Sequence, residues 1–65
     1  MAFPQAMDCV RQGMAVTRQA WDNTHVTVEL KNGLLTIHLA DGTDRGWLVS
    51  EADMFARDWQ TVTHG

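Results

Sequence analysis

The sequence lacks several features that stabilise small proteins. It has 65 residues and a single cysteine, Cys9, so no internal disulfide can form. Its histidines, cysteine and carboxylates show no metal-ligand spacing, so we predict no metal site. A chain of this length buries only about 60% of its unfolded-state surface. We therefore expect a homo-oligomer, because association is the stabilising device that remains for so small a fold.

Positive charge and long apolar segments are also scarce. Five Lys and Arg residues against eight Asp and Glu residues give a formal net charge of −3. That balance argues against binding to polymeric nucleic acid or to an anionic membrane surface. No apolar run approaches the roughly 20 residues that cross a bilayer, and no secretory signal is evident at the N-terminus. Together with the unpaired cysteine, these features predict a cytoplasmic protein.

The residues that are present predict an α+β fold in a single domain over residues 1–65. Phe3, Ala6, Met7 and Val10 have the spacing of one apolar helical face, which predicts an N-terminal helix over residues 4–12. Alternating segments then predict an antiparallel β-sheet meander, with strands over 14–18, 26–31 and 34–39 and a further strand ending near Trp47. The turn signals between them are Asp22-Asn23-Thr24, Asn32-Gly33 and Asp41-Gly42.

The segment 47–59 predicts a short C-terminal helix followed by a final strand. Ser50, with Asp53 three residues later, resembles a capping box at the start of this helix. A helix of about seven residues is not stable alone, so we expect apolar anchors from Trp47, Met54, Phe55 and Trp59. The final strand is expected over residues 59–62, and His64 and Gly65 are expected to be frayed.

No residue pattern predicts catalysis. His25, His38 and His64 have no nearby metal-binding or nucleophilic partners in the sequence, and no phosphate-binding glycine loop is present. Asp53 and Asp58 lie five positions apart and cannot share one helical face as a carboxylate pair. We therefore predict no catalytic residues, no cofactor and a non-enzymatic protein.

The tryptophans and arginines are the residues that indicate ligand binding. An indole face can stack on a nucleobase with about 1–3 kcal/mol per base, although core packing is the alternative for Trp21, Trp47 and Trp59. A guanidinium can bind phosphate through two parallel hydrogen bonds. The available cations are Arg18, Arg45 and Arg57, and for each a solvated or ion-paired surface position is the alternative.

Two blocks of the sequence resemble the second Thoeris anti-defence family. The opening block is Phe3-x-x-Ala6-Met7…Gly13-x-x-Val16-x-Arg18-x-x-Trp21, and the closing block is Trp47-x-x-Ser50-x-x-Asp53-Met54-x-Ala56-x-Asp58-Trp59-x-x-Val62. Members of that family are small phage proteins, typically tetramers, that sequester cyclic nucleotide-type immune signals without cleaving them. Glycocyclic ADP-ribose is a notable example of such a signal.

The resemblance implies ligand-binding roles for particular residues of this chain. The implied pocket residues are Arg18, Trp21, Trp47, Ser50 and Asp53, with Asp58 and Trp59 in structural roles. Ser50 and Asp53 are alternatively helix caps. Two departures affect the expectation: tight turns replace a longer, proline-containing central segment, and Gly46 stands where the family usually has proline. The expected ligand pocket is therefore shallower, or suited to another signal.

The resemblance predicts a sponge for a cyclic nucleotide or cyclic ADP-ribose-type signal, acting in the host bacterial cytoplasm. An alternative is a protein–protein interaction module that uses its tryptophans as interface anchors. A hydrolase of such signals is a third possibility, but no nucleophile–base pair or metal set supports it.

Overall fold

The N-terminal helix predicted from apolar spacing is present. The structure is a computed structural model that describes residues 1–21 and 26–62, so the predicted turn at Asp22-Asn23-Thr24 and the predicted frayed end lie outside the described residues. Helix α1 spans Phe3–Arg11 and has Pro4 in its first turn, where the missing N–H costs no hydrogen bond. Gly13 follows with a φ of 93°, the left-handed conformation in which a glycine commonly ends a helix.

Five antiparallel strands form one sheet beneath α1. They are β1 (Ala15–Arg18), β2 (Thr27–Lys31), β3 (Leu34–His38), β4 (Asp44–Gly46) and β5 (Trp59–Val62). The strand order is β4-β3-β2-β1-β5, so β1 to β4 form the predicted meander and β5 returns to pair with β1. The α+β fold with an antiparallel sheet is therefore confirmed. The position of β5 beside β1, which places Trp59 opposite Arg18, was not predicted.

The hairpin between β2 and β3 has the predicted turn. Asn32 and Gly33 have φ angles of 53° and 78°, and positive values at both central residues are the requirement of a type I′ turn. The turn fixes a register in which Val28 lies opposite Ile37 and Leu30 lies opposite Leu35. The apolar side chains of the two strands consequently share one face of the sheet.

The core lies between that face and α1. Its fully buried apolar residues are Ala6, Val10, Val16, Val28 and Trp59, and partly buried side chains that include Phe3, Leu35 and Trp47 pack around them. In the antiparallel register Thr27 lies opposite His38, and His38 opposite Asp44. Because side chains alternate between faces along a strand, these residues and Glu29 project from the second face of the sheet.

The predicted short helix, α2, spans Glu51–Phe55, and its capping box is confirmed. The Ser50 hydroxyl accepts from the Asp53 N–H at 3.2 Å, and the Asp53 carboxylate accepts from the Ser50 N–H at 3.5 Å. The expectation that Met54 and Phe55 anchor this helix is wrong, since they are 44% and 79% exposed. A five-residue helix turns few side chains inward, and Ala56, just beyond its end, packs on the core instead.

Within residues 1–21 and 26–62, neither α1 nor α2 has the length and apolar content that a membrane-spanning helix requires.

Candidate ligand groove

A buried tryptophan orients two others at one edge of the core. Trp59 is 2% exposed, and its indole Nε1 donates to the carbonyl oxygen of Asp53 at 3.0 Å. The Trp21 ring packs edge-on against it with centroids 5.4 Å apart, and the Trp47 ring does the same at 5.7 Å. Edge-to-face packing of this kind is favourable for aromatic rings. For Trp59 the structure therefore shows core packing, while Trp21 and Trp47 remain partly exposed.

Trp21 and Trp47 line an open groove of about 630 Å³. Apolar surface makes up most of its wall, and one cation and one carboxylate interrupt it. The lining residues are Trp21, Val26, Ile37, Arg45, Gly46, Trp47, Leu48 and Asp53. Of the five site residues predicted above, Trp21, Trp47 and Asp53 therefore lie together in the groove, whereas Arg18 and Ser50 are absent from its lining.

Arg45 is the cation that lines the groove. It lies on β4 opposite Ile37, two residues before Trp47. Among the residues that the structure describes, no carboxylate forms an ion pair with its guanidinium. Arg45 is one of the three arginines available in the sequence for anion binding, but it was not among the predicted site residues. Strand alternation was the signal that could have identified it, because residues two apart in a strand face the same way.

Arg18 lies in an ion-pair network rather than in the groove lining. Its Nε donates to Asp58 Oδ1 at 2.9 Å, and one of its terminal nitrogens donates to Asp53 Oδ1 at 3.0 Å. The Arg18 and Asp53 side chains are only 16% and 13% exposed. Asp58 also accepts from the backbone N–H of Ala20 at 2.8 Å. Arg18 thus joins the end of β1 to α2 and to the residue that precedes β5.

Hydrogen bonds within this network shift the pKa values of Arg18 and Asp58. The hydrogen bond to Asp58 raises the pKa of Arg18; burial opposes the shift and the contact with Asp53 adds to it. The hydrogen bonds from Arg18 and from the Ala20 N–H hold the pKa of Asp58 below its ordinary value of 3.8. Both shifts favour the charged forms of Arg18 and Asp58, so this pair is ionised at neutral pH.

Ser50 positions Asp53 through the helix cap. Its hydroxyl contacts the Asp53 N–H, while the Asp53 carboxylate contacts both the Ser50 N–H and Arg18. These contacts fix the carboxylate where it borders the groove. The sequence-based alternative of a capping role is thus confirmed for Ser50, and Asp53 combines capping with a position in the groove wall.

The groove suits binding chemistry. Its indoles offer flat surfaces for stacking, Arg45 offers donors to an anion, and Asp53 offers an acceptor. Among the described lining residues there is no serine, cysteine, histidine or lysine to act as a nucleophile or base. The described part of the chain also contains no group of three or more His, Cys, Asp or Glu residues arranged to hold a metal ion.

Comparison with known proteins relates the whole fold to one family. The family model of the Thoeris anti-defense 2-like domain matches residues 1–62. The protein Thoeris anti-defense 2 of Bacillus phage SP01 is 25% identical over an alignment of 85 residues, which covers 97% of this chain and 96% of the relative. The alignment is longer than the 65-residue chain, so the relative contains residues for which this chain has no counterpart.

Proposed function

The chain belongs to the Thoeris anti-defense 2-like family, whose name assigns it an anti-defence role, and we propose that it performs this role as a sponge for a small signal. The proposed ligand is a cyclic nucleotide or a glycocyclic ADP-ribose, which the groove holds without cleaving it. Sequestration in the host bacterial cytoplasm then deprives the defence effector of its activator. The chain makes no covalent change to the signal.

The observation that carries this proposal is the meeting of two indoles and a guanidinium in one groove. Its volume of about 630 Å³ falls within the range of about 300–1,000 Å³ typical of small-molecule sites. Trp21 and Trp47 supply stacking surfaces for a base, worth about 1–3 kcal/mol each. Arg45 supplies the planar donor pair that suits a phosphate or pyrophosphate.

Preorganisation supports tight binding in a groove this open. Both groove indoles rest against the buried Trp59 ring, and the Arg18 network holds α2 and Ala20, the residue before Trp21, in place. Side chains that are already fixed lose little conformational entropy when a ligand arrives. Arg18 and Ser50 therefore act as positioning residues in this proposal, while Trp21, Trp47, Arg45 and Asp53 contact the ligand.

Asp53 and Arg45 give the groove a negative and a positive group. A carboxylate accepts hydrogen bonds from hydroxyl or amino groups and repels phosphate. We assign ribose hydroxyls or an exocyclic amine to Asp53, and the anionic part of the ligand to Arg45. A cyclic ADP-ribose-type signal carries all of these groups.

The decisive experiment recovers the ligand after binding. The protein is saturated with glycocyclic ADP-ribose, separated from free ligand by gel filtration and denatured by heat, and the released molecule is identified by mass spectrometry. The proposal expects intact ligand in a fixed ratio to protein, and a loss of capture by Trp47→Leu. Release of a hydrolysed product identifies an enzyme and overturns the sponge mechanism.

We further propose that the sponge is a homo-oligomer, with a tetramer as the expected state. Leu34, Leu48 and Phe55 are large apolar side chains that are 70%, 91% and 79% exposed on a single chain. Exposed apolar surface of this kind is typical of interaction sites. Sedimentation velocity tests the assembly, since a monomer at micromolar concentration contradicts it.

The same exposed side chains support a second candidate function, a protein-interaction module. The anchors would then be Leu48, three residues before α2, and Phe55, the last residue of α2, with the partly exposed Trp21 and Trp47 beside them. Trp59 is buried and cannot serve as an anchor. Calorimetry with a panel of cyclic nucleotides and cyclic ADP-ribose isomers separates the two candidates. Absence of heat with every member of the panel favours the interaction module.

A further inference from the structure

Strand β4 forms one wall of the groove but buries none of its own side chains. Its residues Asp44, Arg45 and Gly46 are all exposed, and it lies at the edge of the sheet. Arg45 and the following Trp47 nevertheless line the groove. A strand without buried side chains is held by hydrogen bonds and ion pairs, so the position of this wall depends on those contacts.

A four-residue polar network on the opposite face of the sheet fastens β4 to its neighbours. His38 Nδ1 on β3 is hydrogen bonded to Asp44 Oδ1 on β4, and His38 Nε2 to Glu29 Oε1 on β2 at 2.6 Å. Lys31 Nζ on β2 donates to Asp44 Oδ2 at 3.1 Å. Strand β2 thus contributes two charged side chains to this network, Glu29 and Lys31, and β4 contributes one, Asp44.

The geometry requires a particular protonation state of His38. Each ring nitrogen is paired with a carboxylate, and an ionised carboxylate only accepts hydrogen bonds. Both nitrogens must therefore donate, which only the protonated imidazolium can do. A neutral imidazole leaves one lone pair facing a carboxylate oxygen, and the link across β2, β3 and β4 loses one of its two bonds.

We propose that protonated His38 is a positioning residue for the groove, because it fixes Asp44 and with it the β4 backbone that carries Arg45 and leads to Trp47. Deprotonation of His38 loosens β4 and weakens ligand binding on the other face of the sheet. The consequence for binding rests on the proposed function of the groove, whereas the coupling between His38 and β4 does not.

The electrostatics of the network agree with this geometry. Burial lowers the pKa of His38, but the hydrogen bonds and charges of Glu29 and Asp44 outweigh it and raise the pKa above 6.5. Lys31 and His38 together lower the pKa of Asp44. Because the pKa of His38 is raised in the folded protein, the stabilisation that His38 provides is complete at pH values below its ordinary pKa. This stabilisation is lost as pH rises through the pKa of the folded state. The loosening therefore occurs on the alkaline side of pH 6.5.

Ligand-free NMR tests the coupling in the intact chain. The His38 ring nitrogens are titrated from pH 6 to pH 9 together with hydrogen-exchange protection of the Trp47 amide, which donates to Leu35 O at 3.0 Å. We expect the protection factor of the Trp47 amide to fall about threefold, with the same midpoint pH as the titration of His38. A change of this size is appropriate to the loss of a partly exposed ion pair. The Val10 amide in α1 is expected to keep its protection factor.

Matched variants assign the effect to the correct histidine. His38→Gln is expected to abolish the pH step, and His25→Gln and His64→Gln are expected to retain it. If His38→Gln does not fold, the wild-type titration still decides the matter. Titration of the His38 ring without any response of Trp47 overturns the proposal, as does a pH step that survives in His38→Gln.

A separate binding measurement uses ADP-ribose as the probe. Its dissociation constant is expected to rise about threefold between pH 6 and pH 9 for the wild type, and to stay constant for His38→Gln. Failure to bind ADP-ribose or glycocyclic ADP-ribose at any pH counts against the groove as a signal site. The ligand-free titration is unaffected by that failure, so the two proposals fall separately.

Discussion

Arg18 and Asp58 are joined by a hydrogen bond of 2.9 Å across 40 positions of the chain. The contact links the last residue of β1 to the residue just before β5, and Asp53 on α2 completes it from the other side. The guanidinium is thereby surrounded by protein carboxylates next to the groove. Its hydrogen bonds connect β1 with α2 and with the residue before β5.

Replacing Arg18 tests this structural role. Arg18→Met leaves two largely enclosed carboxylates without their cation, and we expect the free energy of unfolding to fall by about 1–2 kcal/mol. Urea denaturation measures this decrease, and we expect the slope of the unfolding free energy against urea concentration to be the same for both proteins. The control is Arg11→Gln, since Arg11 pairs with Asp8 at 3.6 Å in an exposed setting. An effect of Arg18→Met no larger than that of the control contradicts the structural role.

The lowered pKa of Asp58 predicts an acid-sensitive fold. Its contribution to stability is present above its ordinary pKa of 3.8 and is lost as pH falls through its lower folded-state value. Asp58→Asn removes the titrating group, so we expect its unfolding free energy to depend less steeply on pH below about pH 4. Thermal denaturation at several pH values compares the two proteins. If stability changes with pH in the same way in both proteins, Asp58 does not contribute to the acid sensitivity of the fold.

The two groove indoles are predicted to contribute to ligand binding in addition to their packing on Trp59. Trp21→Leu and Trp47→Leu each remove a stacking surface, and we expect the dissociation constant for glycocyclic ADP-ribose to rise at least about tenfold. Isothermal titration calorimetry measures the change. Met14→Ala is the control, because Met14 is 43% exposed and does not line the groove. Equal effects of all three substitutions on the dissociation constant would show that the groove is not the ligand-binding site.

Arg45 is predicted to recognise the anionic part of the ligand. Arg45→Gln should raise the dissociation constant about tenfold and reduce the dependence of binding on salt, because one charge pair is lost. Arg45→Lys should recover only part of the affinity, since an ammonium lacks the paired planar donors. Arg57→Gln, which changes an arginine outside the groove lining, serves as the control. Unchanged binding by Arg45→Gln contradicts the assignment.

The features predicted correctly from the sequence depend on neighbouring residues in the chain. Asn32-Gly33 forms the expected hairpin because the turn needs positive φ at two adjacent positions. Ser50 caps α2 because the partners of a capping box are three residues apart. The expected anchoring by Met54 and Phe55 failed, since which side of a five-residue helix faces inward depends on packing partners far along the chain.

The candidate site was harder to predict because long-range contacts determine it. Residue spacing correctly predicted that Asp53 and Asp58 do not share one face of a helix. Both nevertheless contact Arg18, because Asp58 lies in the segment after α2. Arg18 and Arg45 could not be distinguished by composition, since both precede a tryptophan by a few residues. The pairing of β5 with β1 decides which arginine is enclosed by carboxylates and which one lines the groove. The predicted ligand contacts themselves stay a prediction.

The place of β5 beside β1 has a consequence for how the protein is made. The pairs that join them connect residues 15–18 with residues 59–62, so the sheet closes only after residues 59–62 have left the ribosome. The hairpin at Asn32-Gly33 can form much earlier, because its partners are close in sequence. Trp59 arrives with the last strand, and both groove indoles rest on it. Premature termination before residue 59 therefore removes the support of the groove as well as the centre of the core.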